Sequence, residues 1–277
     1  ILYRLIQEAT PWHVLLYRSL ALMLALGLWL GFRYRKRLRQ TLIETGWSAL
    51  LGGLCLGTAF TGYVLALEHT TVANAMFLLA SAPFFAALAG RILLGERIAI
   101  YMWVAMIIAG VGIGIMAGEE LSLGKGRGEG FALMAALGFA GLTISLRTRP
   151  GTDKLITIFA ATAIATLYAL TGIGLSGSGF AIPFIDLINC IGMGWFQIGL
   201  GFALFTAGAR HLQAVELTLL SMTEVIAGPI IVWIGIGEIP SEQSLAGGVL
   251  ILAGITLMAL CGARTKSQTP PFEPPIS

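Results

Sequence analysis

Nine apolar runs of about twenty residues each, at 12–32, 46–67, 71–93, 98–117, 130–146, 155–175, 186–208, 214–235 and 244–262, fill nearly all of this chain. A backbone amide in hydrocarbon must find its hydrogen bond within its own segment, so runs of this length read as helices crossing roughly 30 Å of apolar core. Hydrophobic residues make up 57% of the chain, charged residues 11%, and the mean hydropathy is +0.87. A water-soluble domain would have to display that surface as large sticky patches. The pattern predicts an all-α, multi-pass membrane protein.

The basic residues orient it. Arg33, Arg35, Lys36, Arg37 and Arg39 crowd the first loop, and alternate loops then carry Arg97, then Arg147, Arg149 and Lys154, then Arg210, then Arg264 and Lys266. The opposite set holds only Arg4, Lys125 and Arg127. Lys and Arg beside a span resist translocation, so the basic side is expected in the cytoplasm and the C-terminus with it. The same rule accounts for the 33–39 cluster without nucleic acid as a partner. Residues 263–277, with Pro270, Pro271, Pro274 and Pro275, read as a disordered cytoplasmic tail. Residues 1–11 read as the end of an element whose body precedes Ile1, which makes the chain a truncated one with nine full spans and a stump.

Sliding the chain against itself by 142 residues pairs Gly52 with Gly194, Gly57 with Gly199, Phe60 with Phe202, His69 with His211, Leu78 with Leu220 and Ile92 with Ile234, and Gly95-Glu96 with Gly237-Glu238. No gap is needed, and the spans fall in register. The expected units are a first repeat at 1–117, a periplasmic linker at 118–129 and a second repeat at 130–262. Five spans per unit is an odd number, so the second copy enters the membrane upside down. Inverted halves can exchange conformations and turn an inward-open cavity into an outward-open one, which is useful to a carrier.

Certain segments carry a family resemblance: Arg18 in WHVLLYRSLALML, the run from Ala73 to Arg97, WVAMIIAGVGI at 103–113, the run from Leu217 to Glu238 and GVLILAGITL at 248–257. Through them the chain resembles the drug/metabolite transporter superfamily, in its EamA-like branch of ten-helix proteins of the bacterial inner membrane. The resemblance implies two inverted five-helix repeats forming a ten-helix transporter bundle. It also implies movement of small polar metabolites, often amino-acid-like and often outward, by alternating access. In the family's usual pattern a Pro directly follows the residue equivalent to Glu224, whereas here Val225 follows and Pro229 comes later.

Polar groups inside the apolar runs are the candidate pathway, because a charge at mid-bilayer is costly unless it faces a cavity or a partner. Glu224 sits ten residues into its run, near mid-depth, as a substrate or coupling carboxylate or else a structural carboxyl. Gln197 and Trp195 lie too deep for the interfacial belt that explains Trp12, Trp47 and Trp233, and could bind a solute or pack between helices. Phe60, Thr61 and Tyr63 are weaker candidates of the same kind. Arg18 is shallow enough to snorkel outward, with pairing to Glu224 or a grip on a substrate carboxylate as the alternatives. Asn74 and Glu216 are repeat mates near opposite faces, fit for a gate or for interfacial solvation. His69 and His211 read as caps. Pro83 and Pro229 each delete a backbone donor within a helix and are candidate hinges. Gly110, Gly114 and Gly118, and Gly53 with Gly57, are expected to let helices approach closely.

Cys55, Cys190 and Cys261 lie singly in apolar runs, so no metal or redox chemistry is expected of them, and no cofactor. No phosphate-binding G-x-x-x-x-G-K-[ST] is present to drive a primary pump. Gly174-Leu175-Ser176-Gly177 matches the G-x-S-G of an intramembrane serine protease, but His211, its nearest base by type, is expected across the bilayer, and a base must reach its nucleophile. A channel would show a ring of charges or a filter repeat. The expected partners are a small polar solute and the lipid bilayer, with a homodimer left open.

Overall fold

The computed structural model describes residues 2–35, 38–122, 126–148, 154–201, 204 and 214–267. Every regular element among them is helical: a 3₁₀ turn Leu2–Leu5, then α1 Pro11–Tyr34, α2 Leu38–His69, α3 Val72–Leu79, α4 Ala82–Leu94, α5 Ile100–Ser122, α6 Arg127–Thr148, α7 Lys154–Ser176, α8 Phe184–Gly192, α9 Ala214–Ile236 and α10 Glu242–Ser267. Seven apolar helices among the described residues are long enough to cross a bilayer. Two shorter apolar stretches, Phe184–Leu200 and Thr223–Ile236, fall where the runs 186–208 and 214–235 were expected, the remainder of the former lying largely outside the described residues.

The chain writes its own helix ends. Thr10 and Pro11 open α1: the Thr10 amide donates to Nδ1 of His13 at 3.2 Å, which leaves Nε2 to donate to the Gly179 carbonyl at 2.6 Å. Thr71 caps α3 through the Asn74 amide at 3.1 Å. Gly95 and Gly237 close α4 and α9 in the same left-handed conformation, φ +67° and +72°, and so each presents the Glu that follows it in the same way.

α2 is the hub, packed on α6 and α7, while α1 packs on α7 and α5 on α10. Under the 142-residue shift α1 and α7 are mates, and so are α5 and α10. Mates lie five crossings apart along the chain and therefore run in opposite directions. The contacts α2–α7 and α1–α8 exchange under the same shift. The result is an all-α bundle of two inverted repeats whose helices interleave.

Gly53 and Gly57 serve close approach as expected: a Cβ on either would stand 2.7 Å from Ala160 Cβ or 2.9 Å from the Ala161 carbonyl of α7. The expectation for α5 needs correction. Cβ atoms on Gly110, Gly114 and Gly118 would meet open space, and the helix crossing uses Gly112 and Gly247 instead, where a Cβ on either would stand 2.5 Å from the other's carbonyl. The face of α5 with four-residue glycine spacing points away from its partner.

The prolines also differ from each other. Between Leu79 and Ala82 the helix breaks, with the Ser81 hydroxyl donating to Leu78 O, so Pro83 occupies the first turn of a new helix rather than the interior of an old one. Pro229 is buried inside α9, which continues through it. Two further irregularities remain: α2 kinks at Gly46, whose φ is +54°, and α8 runs into a π-helical turn over Met193–Leu200, a wide winding that rotates the side chains after it and carried no sequence signal.

Asp186, in the first turn of α8, is fully buried and accepts the backbone amides of Gln7, Glu8 and Ala9 at 3.2, 3.0 and 3.0 Å. It ties the N-terminal strap down onto the second repeat. Asp186→Ala is expected to lower unfolding stability by about 2 kcal/mol, since three amides lose a charged acceptor. Thermal unfolding of the purified protein checks it; an unchanged midpoint would make the strap unimportant.

Candidate functional site

Four of the sequence-predicted residues, Arg18, Phe60, Tyr63 and Trp195, lie where α1 packs on α2 and on the π turn, and a fifth, Glu224 of α9, lies within electrostatic reach of Tyr63. Arg18 projects from α1 into the core and is 3% exposed, so the snorkelling expected of it does not occur. Its guanidinium lies over the Phe60 ring at 5.6 Å, and its Nη2 reaches the Phe60 carbonyl at a long 3.5 Å. Its buried Nε has no partner among the described residues. Tyr63, one turn beyond Phe60 on α2, lies within electrostatic reach of both Arg18 and Glu224. Arg18 and Glu224 are not joined as an ion pair; the pairs found among the described residues are Arg4–Glu238 and Glu96–Arg147.

The second repeat closes one flank of this junction. A Cβ on Gly194 would stand 2.5 Å from the Arg18 carbonyl, so the π turn lies directly on α1. Trp195 follows, donating its indole N–H to the Ala21 carbonyl at 2.8 Å while half its surface stays open. Glu224 is exposed on α9. A carboxylate at that depth is costly where it faces lipid.

Other predicted residues stand apart. Gln197 is exposed on the π turn. Thr61 is buried with its hydroxyl donating to the Gly57 carbonyl at 2.9 Å, which leaves it no spare proton for a solute. Glu216 lies on α9 with its side chain outside the described residues, and Phe202 and His211 lie outside them altogether. The Ser176 hydroxyl bonds Ile173 O and Ser178.

Asn74 belongs to a different cluster, which the sequence reading missed. Helix α6 begins at Arg127, placing Glu129 in its first turn rather than in a linker, and Glu129 is 2% exposed. Its Oε1 accepts from the Thr70 hydroxyl and from Asn74 Nδ2, the latter at 3.2 Å. Arg4 donates to the Thr70 carbonyl at 3.0 Å and to Glu238 at 2.9 Å, and the Val72 amide donates to the other oxygen of Glu238 at 2.6 Å. An acidic residue just ahead of an apolar run, here Gly128-Glu129-Gly130, was the available signal for a helix start.

These contacts give each Gly-Glu pair a structural role. Glu238 of the second repeat binds Arg4 of the first at one face, and Glu96 of the first binds Arg147 of the second at the face of the basic loops. Above Arg18, Tyr3 on the strap packs against both main hydrophobic clusters, and burial, then Glu68, push its phenol up to about 12, so it stays a neutral cover. A separate cleft of about 430 Å³ opens between α2, α4 and α6, lined by Trp47, Cys55, Ala89, Ile144 and Thr148, toward the other end of α2.

A model of the EamA-like transporter family matches residues 1–118 and 126–260. An uncharacterized transporter of Archaeoglobus fulgidus is 26% identical over 70% of this chain and 70% of its own length. A pseudopaline exporter of Pseudomonas aeruginosa is 28% identical over 74% of this chain and 70% of its own. A probable terminal-alkyne amino-acid exporter of Streptantibioticus cattleyicolor is 23% identical over 78% and 76%. One crystal structure of a protein superposes with a TM-score of 0.61 at 17% identity, covering 94% of this chain and 91% of that one, a likeness of fold alone.

Proposed function

The chain belongs to the EamA-like transporter family, and we propose that it exports small, amino-acid-like metabolites by alternating access, from the cytoplasm across a bacterial inner membrane, with its basic loops and C-terminus inside. The repeats at 1–117 and 130–262 are the two moving halves. The observation that carries this reading is the junction itself: a buried cation, an open carboxylate and three aromatic side chains, drawn from both repeats, inside the membrane. Two inverted halves rocking about such a junction expose it to each side in turn. Each inter-repeat ion pair then breaks as its own face opens. The exporters among the relatives support the outward direction.

Comparative metabolomics of cells and medium, with and without overexpression, tests class and direction together. Amino-acid-like compounds should rise outside and fall inside. Movement in the opposite sense would reverse the direction, and an unchanged medium together with no flux in proteoliposomes would end the transporter reading.

A further inference from the structure

We propose that Arg18 is the site that receives the carboxylate of the transported solute. This assignment rests on the transport reading above and names the chemistry of that same junction. The guanidinium is removed from water, and the groups around it do not repay that cost. Its one hydrogen bond among the described residues is long, at 3.5 Å, and Nε has no partner. The Phe60 face supplies only a cation–π attraction. Tyr3, Tyr63 and Cys190 surround it without supplying a negative charge. A buried cation held this way is an incomplete ion pair, and the missing half is an anion with two oxygens, the shape that a guanidinium binds in a fork.

The surroundings suit a solute rather than a structural partner. The π turn lies on the backbone of α1 through Gly194 and Trp195, and the Arg18 side chain is buried beside it. The strap carrying Tyr3 covers it from the Arg4 face, held by Asp186 and by the ion pair to Glu238. Releasing that strap gives the carboxylate a way out. Glu224, within electrostatic reach of Tyr63, offers the complementary charge for a cationic group on the same solute.

The first test needs no ligand. Arg18→Gln removes an uncompensated charge, so the variant should unfold at the same temperature as wild type or higher in the absence of solute; a clearly lower midpoint would mean that Arg18 is a structural element and would overturn the proposal. The second compares wild type and Arg18→Gln in the export assay. Among the compounds that wild type exports, those bearing a carboxylate should fall by about tenfold or more, the loss of one charged contact, and Arg18→Lys should recover part of it. Carboxylates exported at wild-type rate by Arg18→Gln, or a wild-type export set without carboxylates, would also overturn the assignment while leaving transport intact. If wild type exports nothing, transport itself fails, and thermal stabilisation by amino acids but not by their amides, present in wild type and absent in Arg18→Gln, still decides whether Arg18 binds a carboxylate.

Discussion

Glu224→Gln is expected to cut solute flux in proteoliposomes by more than about tenfold while leaving the fold intact, because on the proposed mechanism it removes a carboxylate's charge from the path and keeps its shape. The side chain is exposed on α9 and makes no ion pair with Arg18, so nothing in the packing depends on its charge. The same features separate it from Glu129, a buried carboxylate bonded to Thr70 and Asn74, whose loss would strike the contact between the repeats instead. Thermal unfolding of Glu224→Gln should therefore match wild type. Wild-type flux with an unchanged pH dependence would remove Glu224 from the pathway altogether.

Much of this architecture is legible without coordinates, because the bilayer enforces it. Runs of fixed length bounded by loops must become helices, and the apolar spans ending near Tyr34, His69, Leu94, Thr148 and Ser176 fall within a few residues of their expected limits. What the sequence does not show is the azimuth of each helix. Apolar residues surround these helices on all sides, so periodicity does not say which glycine faces a neighbour, and Gly112 rather than Gly110 makes the crossing to α10. For the same reason depth alone suggested that Arg18 would reach outward, when its guanidinium lies buried over the Phe60 ring. The π turn was hidden because no residue type specifies it. Asp186 and Glu129 carry no sequence sign of their burial, since their partners are backbone amides and a Thr–Asn pair far away in sequence. The Gly-Glu repeats were visible as a pattern, but their partners Arg4 and Arg147 emerge only when the helix ends are brought together.

Breaking those two ion pairs should bias the carrier in opposite directions and by unequal amounts. Arg4–Glu238 is the better protected pair, its side chains 28% and 19% exposed, and Glu238 holds the Val72 amide as well. Glu238→Gln should shift the equilibrium toward the state open at that face by about tenfold, the worth of one charge-assisted hydrogen bond. Glu96–Arg147 is more open to solvent, at 36% and 45% exposed, so screening reduces its worth, and Glu96→Gln should favour opening at the basic face by only about twofold. Cys190 is a native reporter: it is fully buried on α8 within the electrostatic surroundings of Arg18, beneath the strap that Arg4 helps to hold. With Cys55 and Cys261 replaced by Ser, a membrane-impermeant maleimide added at the Arg4 face should label Cys190 faster in Glu238→Gln than in wild type, and the exchanged pair Arg4→Glu with Glu238→Arg should slow it again only in part, since the Val72 amide and the Thr70 carbonyl lose their partners. In Glu96→Gln the same reagent at the same face should label more slowly than in wild type, because the population has moved the other way. Equal rates in all of these proteins would mean that the ion pairs fasten the bundle without gating it, and the motion would then have to be controlled by the break before Pro83 or by the π turn.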